Sequence, residues 1–142
     1  MSDRLVDDAF TALAQARGGF EPRTPQREMA YAVHRAFRDG GVLAVEAPTG
    51  VGKSLAYLVP AALFSRARNR RVIISTHTKH LQSQIVQRDA PEVERAVAPG
   101  LRVSMLKGRT NYMCLRRWQK AAQLQIDPGD DEVSAVASTP AV

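Results

Sequence analysis

The sequence has a single cysteine and no long apolar segment. With only Cys114 among 142 residues, it excludes an internal disulfide and any metal site built only from this chain's thiolates. The longest mainly apolar run, residues 55–64, is about ten residues long and contains Pro60, whereas a membrane-spanning helix needs about 20. The first residues lack the apolar stretch of a secretory signal. We therefore expect a cytoplasmic protein with no membrane partner.

Basic residues outnumber acidic ones. The chain has 20 Lys and Arg against 14 Asp and Glu, which gives a net charge of +6 and a sequence pI of about 10.1. This balance indicates polyanionic partners, although it says nothing about the fold. Apolar residues make up 44% of the sequence, enough to bury a core, and the length corresponds to one domain or to an incomplete piece of a larger one.

Helical periodicities alternate with short apolar runs. The predicted helices are residues 5–16, a segment opened by Thr24-Pro25 and stopped by Gly40-Gly41, a segment after residue 52, and a segment with Leu81 and Ile85 on its inner face. The predicted buried strands are residues 42–45, 72–74 and 102–106. Thr24 is the expected cap of the second helix. Strands that alternate with helices are typical of a parallel α/β sheet, but three are too few to make such a sheet self-sufficient.

The most specific motif is a glycine-bearing turn between the first predicted strand and the helix after it. It consists of Ala47, Pro48, Thr49, Gly50, Val51, Gly52, Lys53 and Ser54, and it matches the phosphate-binding loop pattern except that alanine replaces the first glycine. Glycines let backbone N–H groups turn inward around an anion, and the following helix adds its positive end. Lys53 would meet the β- and γ-phosphates, and Ser54 would complete a Mg²⁺ shell. The alternative is an ordinary strand-to-helix turn with an exposed lysine.

Gln26, near the start of the second predicted helix, is a candidate for base recognition. Its amide can both donate to and accept from the edge of adenine, a pairing that guanine would not satisfy. The loop sequence itself does not distinguish ATP from GTP. The alternative for Gln26 is a solvated side chain at a helix start.

Two further clusters have a functional and an ordinary interpretation. His77 and His80 would share a helix face, but no third ligand is near, so a solvated or DNA-facing pair is favoured over a metal site.

Tyr112 and Trp118 interleave with basic residues, a pattern that suits phosphate contact and base stacking on single-stranded DNA. The alternative is a solvated basic helix face with Trp118 in the core. The basic residues are Arg109, Arg116, Arg117 and Lys120.

Four strings resemble the XPD/DinG-like branch of the superfamily 2 helicases, and among them the bacterial DinG-like proteins. Residues 20–29 resemble the family's adenine-reading motif, and residues 46–54 resemble its phosphate loop. Residues 74–82 are similar to its motif Ia, and residues 107–114 are similar to the string that carries the first cysteine of an iron–sulfur cluster. One such string alone could mislead, but four in the family's order are specific.

The resemblance implies an α/β fold, namely a partial P-loop NTPase (RecA-like) motor domain with parallel strands and flanking helices, followed by the start of an iron–sulfur region. The implied divisions are an N-terminal helix (1–19), the first part of the ATP-binding motor domain (20–106), the start of an iron–sulfur and DNA-contact region (107–125) and a loop or truncated tail (126–142). The family's Asp-Glu box with a nearby His, its second motor domain and three further cysteines are missing. We therefore expect the N-terminal part of a helicase, inactive by itself.

The resemblance also implies an activity, an ATP-dependent 5′–3′ DNA helicase that couples hydrolysis to translocation and unwinding. ATP and Mg²⁺ are the implied cofactors, with Lys53 and Ser54 catalytic, Ser54 on the metal, and Gln26 and the loop on the nucleotide. The implied DNA contacts are Thr76, Thr78, Lys79, Lys107, Arg109 and Tyr112. Cys114 would be one ligand of a 4Fe–4S cluster that only a complete protein could hold, and the alternative is a small buried hydrophobic residue.

The expected partner is single-stranded DNA, and the expected oligomeric state is a monomer. Two alternatives stay open for the chain itself. One is a non-catalytic module that binds ATP or single-stranded DNA. The other is an inactive truncated remnant, for which an unpaired sheet edge would favour aggregation.

Overall fold

The computed structural model describes residues 3–19 and 21–125. The described chain divides into two compact units, the first ending at Met105 and the second beginning at Leu106. Within these residues, no helix is both long enough and apolar enough to cross a membrane.

Helices dominate the described residues. The α-helices are α1 (Arg4–Ala16), α2 (Thr24–Asp39), α3 (Lys53–Arg68), α4 (Lys79–Gln84), α5 (Ala90–Ala96) and α6 (Leu115–Gln125). A π-helical segment, Ile85–Asp89, joins α4 to α5, and a 3₁₀ turn, Arg109–Asn111, precedes α6. The predicted helices at residues 5–16, after Thr24 and after Gly52 are confirmed.

The two ends of α2 determine how the chain enters and leaves it. Arg23 occupies the N-cap position in an extended conformation, and Pro25 lies in the first turn, where its missing N–H breaks no helical hydrogen bond. The prediction of Thr24 as the cap is wrong, because the helix already includes this residue. Gly40, at a φ of +79°, ends the helix as predicted.

The core of the first unit lies between α1, α3 and α5. Its buried side chains include Val6, Phe10, Leu13, Leu55, Val59 and Val93. Each large apolar side chain that is fully buried contributes roughly 1.5–3 kcal/mol, so this cluster fixes α3 against its neighbours. Pro60 is buried inside α3, which continues unbroken through it. The helix that follows the glycine-bearing turn is therefore held firmly by packing.

The three predicted strands are absent from the described residues. Residues 42–45, 72–74 and 102–106 run as irregular chain, and the side chains of Val42 and Ile73 are 102% and 92% exposed. The prediction is wrong because an apolar run indicates only that a segment could be buried. A strand forms when a neighbouring segment completes its backbone hydrogen bonds, and a parallel sheet also needs cover on both faces.

Candidate nucleotide-binding site

The glycine-bearing turn leads directly into α3. Gly50 and Gly52 have φ angles of +81° and +86°, in the left-handed region that residues with a Cβ adopt only at a cost. Lys53 is the first residue of α3, so the turn ends where the helix has unpaired N–H groups and the positive end of its dipole. This combination is suited to binding an anion.

The ammonium group of Lys53 is folded back onto the turn. Its Nζ donates to the carbonyl oxygens of Ala47 at 2.7 Å and Pro48 at 2.8 Å. An ammonium group has three N–H donors, so one more is available to a phosphate oxygen. The side chain thus places a positive charge against the turn that carries the phosphate-loop pattern.

Two side chains from the start of α2 contact the turn. Arg23 donates from Nη1 to the carbonyl of Gly50 at 2.7 Å, and Gln26 donates from Nε2 to the carbonyl of Gly52 at 2.9 Å. Gln26 is only 2% exposed. Its Oε1 and second N–H are the atoms that could meet adenine, and that role stays a prediction. Sequence reasoning missed Arg23, because its contact depends on how the start of α2 packs beside the turn.

Ser54 belongs to a polar cluster that the sequence analysis did not identify. Burial raises the pKa of the Tyr57 phenol, and a hydrogen bond with Ser54 acts in the opposite direction. The negative charge of Asp89, which is buried in the π-helical segment, also raises the pKa of Tyr57. Asp89 accepts hydrogen bonds from Gln84 Nε2 at 3.0 Å and Arg88 Nε at 3.3 Å. The expected Mg²⁺ ligand therefore lies beside a half-buried tyrosine, which in turn lies near a buried carboxylate.

The predicted DNA-contact residues of the first unit meet at the start of α4. Thr78 is the N-cap, and its Oγ1 accepts from the backbone N–H of Leu81 at 3.2 Å. The hydroxyl of Thr76 donates to the carbonyl of Thr78 at 3.2 Å. Thr78 and Lys79 are exposed. Contact with DNA stays a prediction for all three of Thr76, Thr78 and Lys79.

The second unit groups its predicted DNA-contact residues around the 3₁₀ turn. The hydroxyl of Tyr112 accepts from the backbone N–H of Lys107 at 2.9 Å, which closes the segment that contains Arg109. Trp118 is exposed, so the alternative that placed it in a core is wrong. Cys114 is also exposed, which contradicts its interpretation as a buried hydrophobic residue.

The residues present fit a Mg²⁺–nucleotide complex better than a protein-only metal site. No group of three or more His, Cys, Asp or Glu side chains that could hold a metal occurs in the part of the chain that the structure describes. Mg²⁺ bound with a nucleotide needs few protein ligands, because phosphate oxygens and water complete its shell. Cys114 supplies one thiolate, and a 4Fe–4S cluster is usually held by four, so these residues do not fit a cluster by themselves.

The turn, its lysine and the helix after it define a P-loop nucleotide-binding domain. The model of the DEAD/DEAH box helicase family matches residues 24–129 of the sequence, and the chain belongs to this family. Membership implies a RecA-like P-loop fold, and ATP and Mg²⁺ are the cofactors expected of such a domain. The described residues contain the helices and the loop of this fold but none of its strands.

Several curated proteins are similar to the chain. It is 48% identical over 122 residues to the ATP-dependent DNA helicase YoaA of Escherichia coli K12, covering 86% of this chain and 18% of that protein. It is 44% identical over 110 residues to the ATP-dependent helicase DinG of Mycobacterium tuberculosis H37Rv, covering 75% and 17%. It is 36% identical over 119 residues to a Bacillus subtilis protein named 3′-5′ exonuclease DinG, covering 84% and 13%. No solved structure matches. The resemblance to DinG-like helicases is confirmed.

Proposed function

We propose that the chain is the N-terminal part of an ATP-dependent 5′–3′ DNA helicase that acts in the cytoplasm. Support comes from the family to which it belongs and from the helicase names of relatives in E. coli and M. tuberculosis. The chain spans only 18% and 17% of those two relatives. In a protein of their length, the remainder would supply the Asp-Glu box and the second motor domain that the 142 residues lack.

The observation that carries this proposal is the geometry of the turn before α3. Left-handed glycines, a helix N-terminus and the Lys53 ammonium come together there, as binding of a triphosphate requires. Lys53 would neutralise charge on the β- and γ-phosphates, Ser54 would bind Mg²⁺, and Gln26 would contact adenine. The rest of the loop would surround the phosphates with its backbone: Ala47, Pro48, Thr49, Gly50, Val51 and Gly52. Bound Mg²⁺–ATP supplies the phosphoryl group that is transferred to water.

The DNA-contact role is proposed for two segments, each considered by itself. At the start of α4, Thr76, Thr78 and Lys79 offer hydroxyl, amide and ammonium donors, which suit phosphate contacts that need no base identity. In the second unit, Lys107 and Arg109 carry positive charge beside the exposed ring of Tyr112, which could stack on an unpaired base. Single-stranded DNA is the partner that this chemistry fits.

Cys114 is proposed as one ligand of an iron–sulfur cluster in the full-length protein. Its exposure leaves the thiol accessible to a cluster whose other ligands lie elsewhere. The measurement is the iron and sulfide content of the purified full-length protein. Cys114→Ser is expected to reduce both, and unchanged content would exclude this ligand role.

Substitution of Lys53 tests the motor function. In the full-length protein, we expect Lys53→Ala to abolish DNA-stimulated ATP hydrolysis and unwinding together, because the phosphate charge is no longer neutralised. Arg66→Ala is the matched control, since Arg66 is an exposed cation near the other end of the same helix and should leave both activities unchanged. Hydrolysis that persists in Lys53→Ala would rule the proposal out.

The direction of unwinding is tested with duplexes that carry a single-stranded tail. A 5′–3′ helicase unwinds a duplex with a 5′ single-stranded tail and leaves a duplex with a 3′ tail intact.

A non-catalytic module is the second candidate for the isolated chain, because its sequence lacks the Asp-Glu box. Such a module would bind single-stranded DNA with an affinity that falls as salt rises and release no phosphate from ATP. Fluorescence anisotropy at two salt concentrations measures the DNA binding, and a phosphate-release assay distinguishes this module from an active ATPase.

A further inference from the structure

The first turn of α2 makes paired contacts with the phosphate loop. Arg23 Nη1 lies 2.7 Å from the carbonyl oxygen of Gly50, and Gln26 Nε2 lies 2.9 Å from that of Gly52. Both acceptors belong to glycines in the left-handed region. The carbonyl of Gly52 also accepts the first hydrogen bond of α3, from the N–H of Ala56 at 3.2 Å, whereas Gly50 lies outside the helix. The orientation of the Gly50 carbonyl therefore depends more heavily on its side-chain donor.

The orientation of this carbonyl affects anion binding directly. A trans peptide unit is planar, so its C=O and the N–H of the next residue point in opposite directions. When Arg23 draws the Gly50 oxygen toward α2, the Val51 N–H is turned the other way. A rotation of this peptide would bring a carbonyl oxygen toward the phosphates, where like partial charges repel. The guanidinium also adds positive charge beside the loop.

We propose that Arg23 is a positioning residue of the phosphate loop: its guanidinium holds the Gly50 carbonyl on the α2 side, so that the Val51 N–H faces the phosphate tail of a nucleotide. This inference rests on the proposed nucleotide site. It assigns Arg23 to the phosphate end of the ligand and not to the base. Loss of Arg23 should therefore weaken the binding of a nucleoside diphosphate more than that of a nucleoside monophosphate.

Calorimetric titrations of the 142-residue chain with MgADP and with AMP test this assignment. Arg23→Ala is expected to weaken MgADP binding about five- to tenfold, the effect of losing one exposed charge-assisted hydrogen bond, and to change AMP binding less than twofold. Arg23→Lys keeps a cationic donor and should recover part of the loss. Arg35→Ala is the matched control, because Arg35 is an exposed arginine of the same helix that pairs with Asp3 and not with the loop.

Each outcome has a distinct meaning. Equal MgADP affinities of Arg23→Ala and the unmodified chain would overturn the positioning role, and equal losses for MgADP and AMP would assign Arg23 to the base instead. If the unmodified, folded chain binds no MgADP, the proposed function fails and this inference fails with it. Thermal unfolding by circular dichroism checks folding, and Arg23→Ala should unfold near the same temperature because Arg23 is exposed.

Discussion

Gly52 is constrained by its backbone and by a neighbouring side chain. Its φ of +86° strains any residue with a Cβ, and a Cβ built there would lie 2.1 Å from Gln26 Nε2. Gln26 is buried, so its amide has little room to withdraw. We predict that Gly52→Ala lowers the free energy of unfolding by about 1–3 kcal/mol and weakens MgADP binding at least tenfold. Thermal unfolding and calorimetric titration measure the two effects.

Gly100 supplies the matched control for this substitution. It has a similar φ of +83°, but a Cβ there would meet no atom within 4 Å. Gly100→Ala should therefore lower stability through backbone strain alone and leave nucleotide affinity unchanged. Equal nucleotide affinities for both variants and the unmodified chain would argue against a close contact between Gln26 and the loop.

The loop could be predicted from sequence and the contacts that support it could not. Gly50, Gly52 and Lys53 are close in sequence, and their spacing is dictated by the shape of a phosphate. The pattern can therefore be recognised in one short stretch of sequence. The contact of Arg23 joins residues 27 positions apart. It depends on how α2 packs beside the loop, which no local pattern encodes.

At the level of secondary-structure elements, α1 is tied to α5 by an ion pair. Arg17, which follows α1, donates from Nε and Nη2 to the two carboxylate oxygens of Glu92. The hydrogen bonds from Arg17 lower the pKa of Glu92, and the same contact raises the pKa of Arg17. Because the pKa of Glu92 is lower in the folded state, the pair stabilises the fold above the unfolded value of about 4.3. This contribution is lost as the pH falls through the lower, folded pKa.

Glu92→Gln tests this linkage. We predict a loss of about 1–2 kcal/mol in the free energy of unfolding at pH 7, because the charge-assisted bonds are weakened. The variant should also lose less stability than the unmodified chain between about pH 6 and pH 3. Urea unfolding at several pH values measures both. Glu28→Gln, at an exposed position of α2, is the control. Parallel pH curves for Glu92→Gln and the unmodified chain would exclude the linkage.

Helices were more predictable than strands for a physical reason. The apolar periodicity of α1 and α2, and the glycines that follow them, are features of the local sequence. Each helix also completes its own backbone hydrogen bonds. Residues 42–45 and 72–74 carry the apolar content of strands, but their backbone partners have to come from other segments. Family membership implies a RecA-like fold, whereas these runs form no strand in the described residues.

At the scale of the whole molecule, the first unit exposes apolar side chains that a sheet would cover. They include Val42, Leu43, Val45, Ile73, Ile74 and Val103. Exposed apolar side chains on segments without backbone partners favour association between copies. We predict that the isolated chain self-associates as its concentration rises, and that the double variant Val42→Lys, Ile73→Lys does so less, as measured by sedimentation velocity.

Thermal unfolding of the same double variant provides the check. Both side chains are almost fully solvated, so their replacement should leave the unfolding temperature nearly unchanged. Val59→Lys is the contrasting control, because Val59 is fully buried and a charge there should unfold the chain. A double variant that unfolds like Val59→Lys would mean that residues 42–45 and 72–74 are packed in solution.

Binding of a nucleotide's phosphate tail at the turn before α3 is tested most directly by ¹⁵N–¹H correlation spectra of the chain during addition of MgADP. The amide signals of Gly50, Gly52, Lys53 and Ser54 should shift together and saturate, while those of Gly18 and Gly100, which lie in other turns, stay in place. Spectra in which the loop amides do not move at millimolar MgADP, or in which only other residues shift, would contradict the assignment of this chain as a nucleotide-binding motor domain.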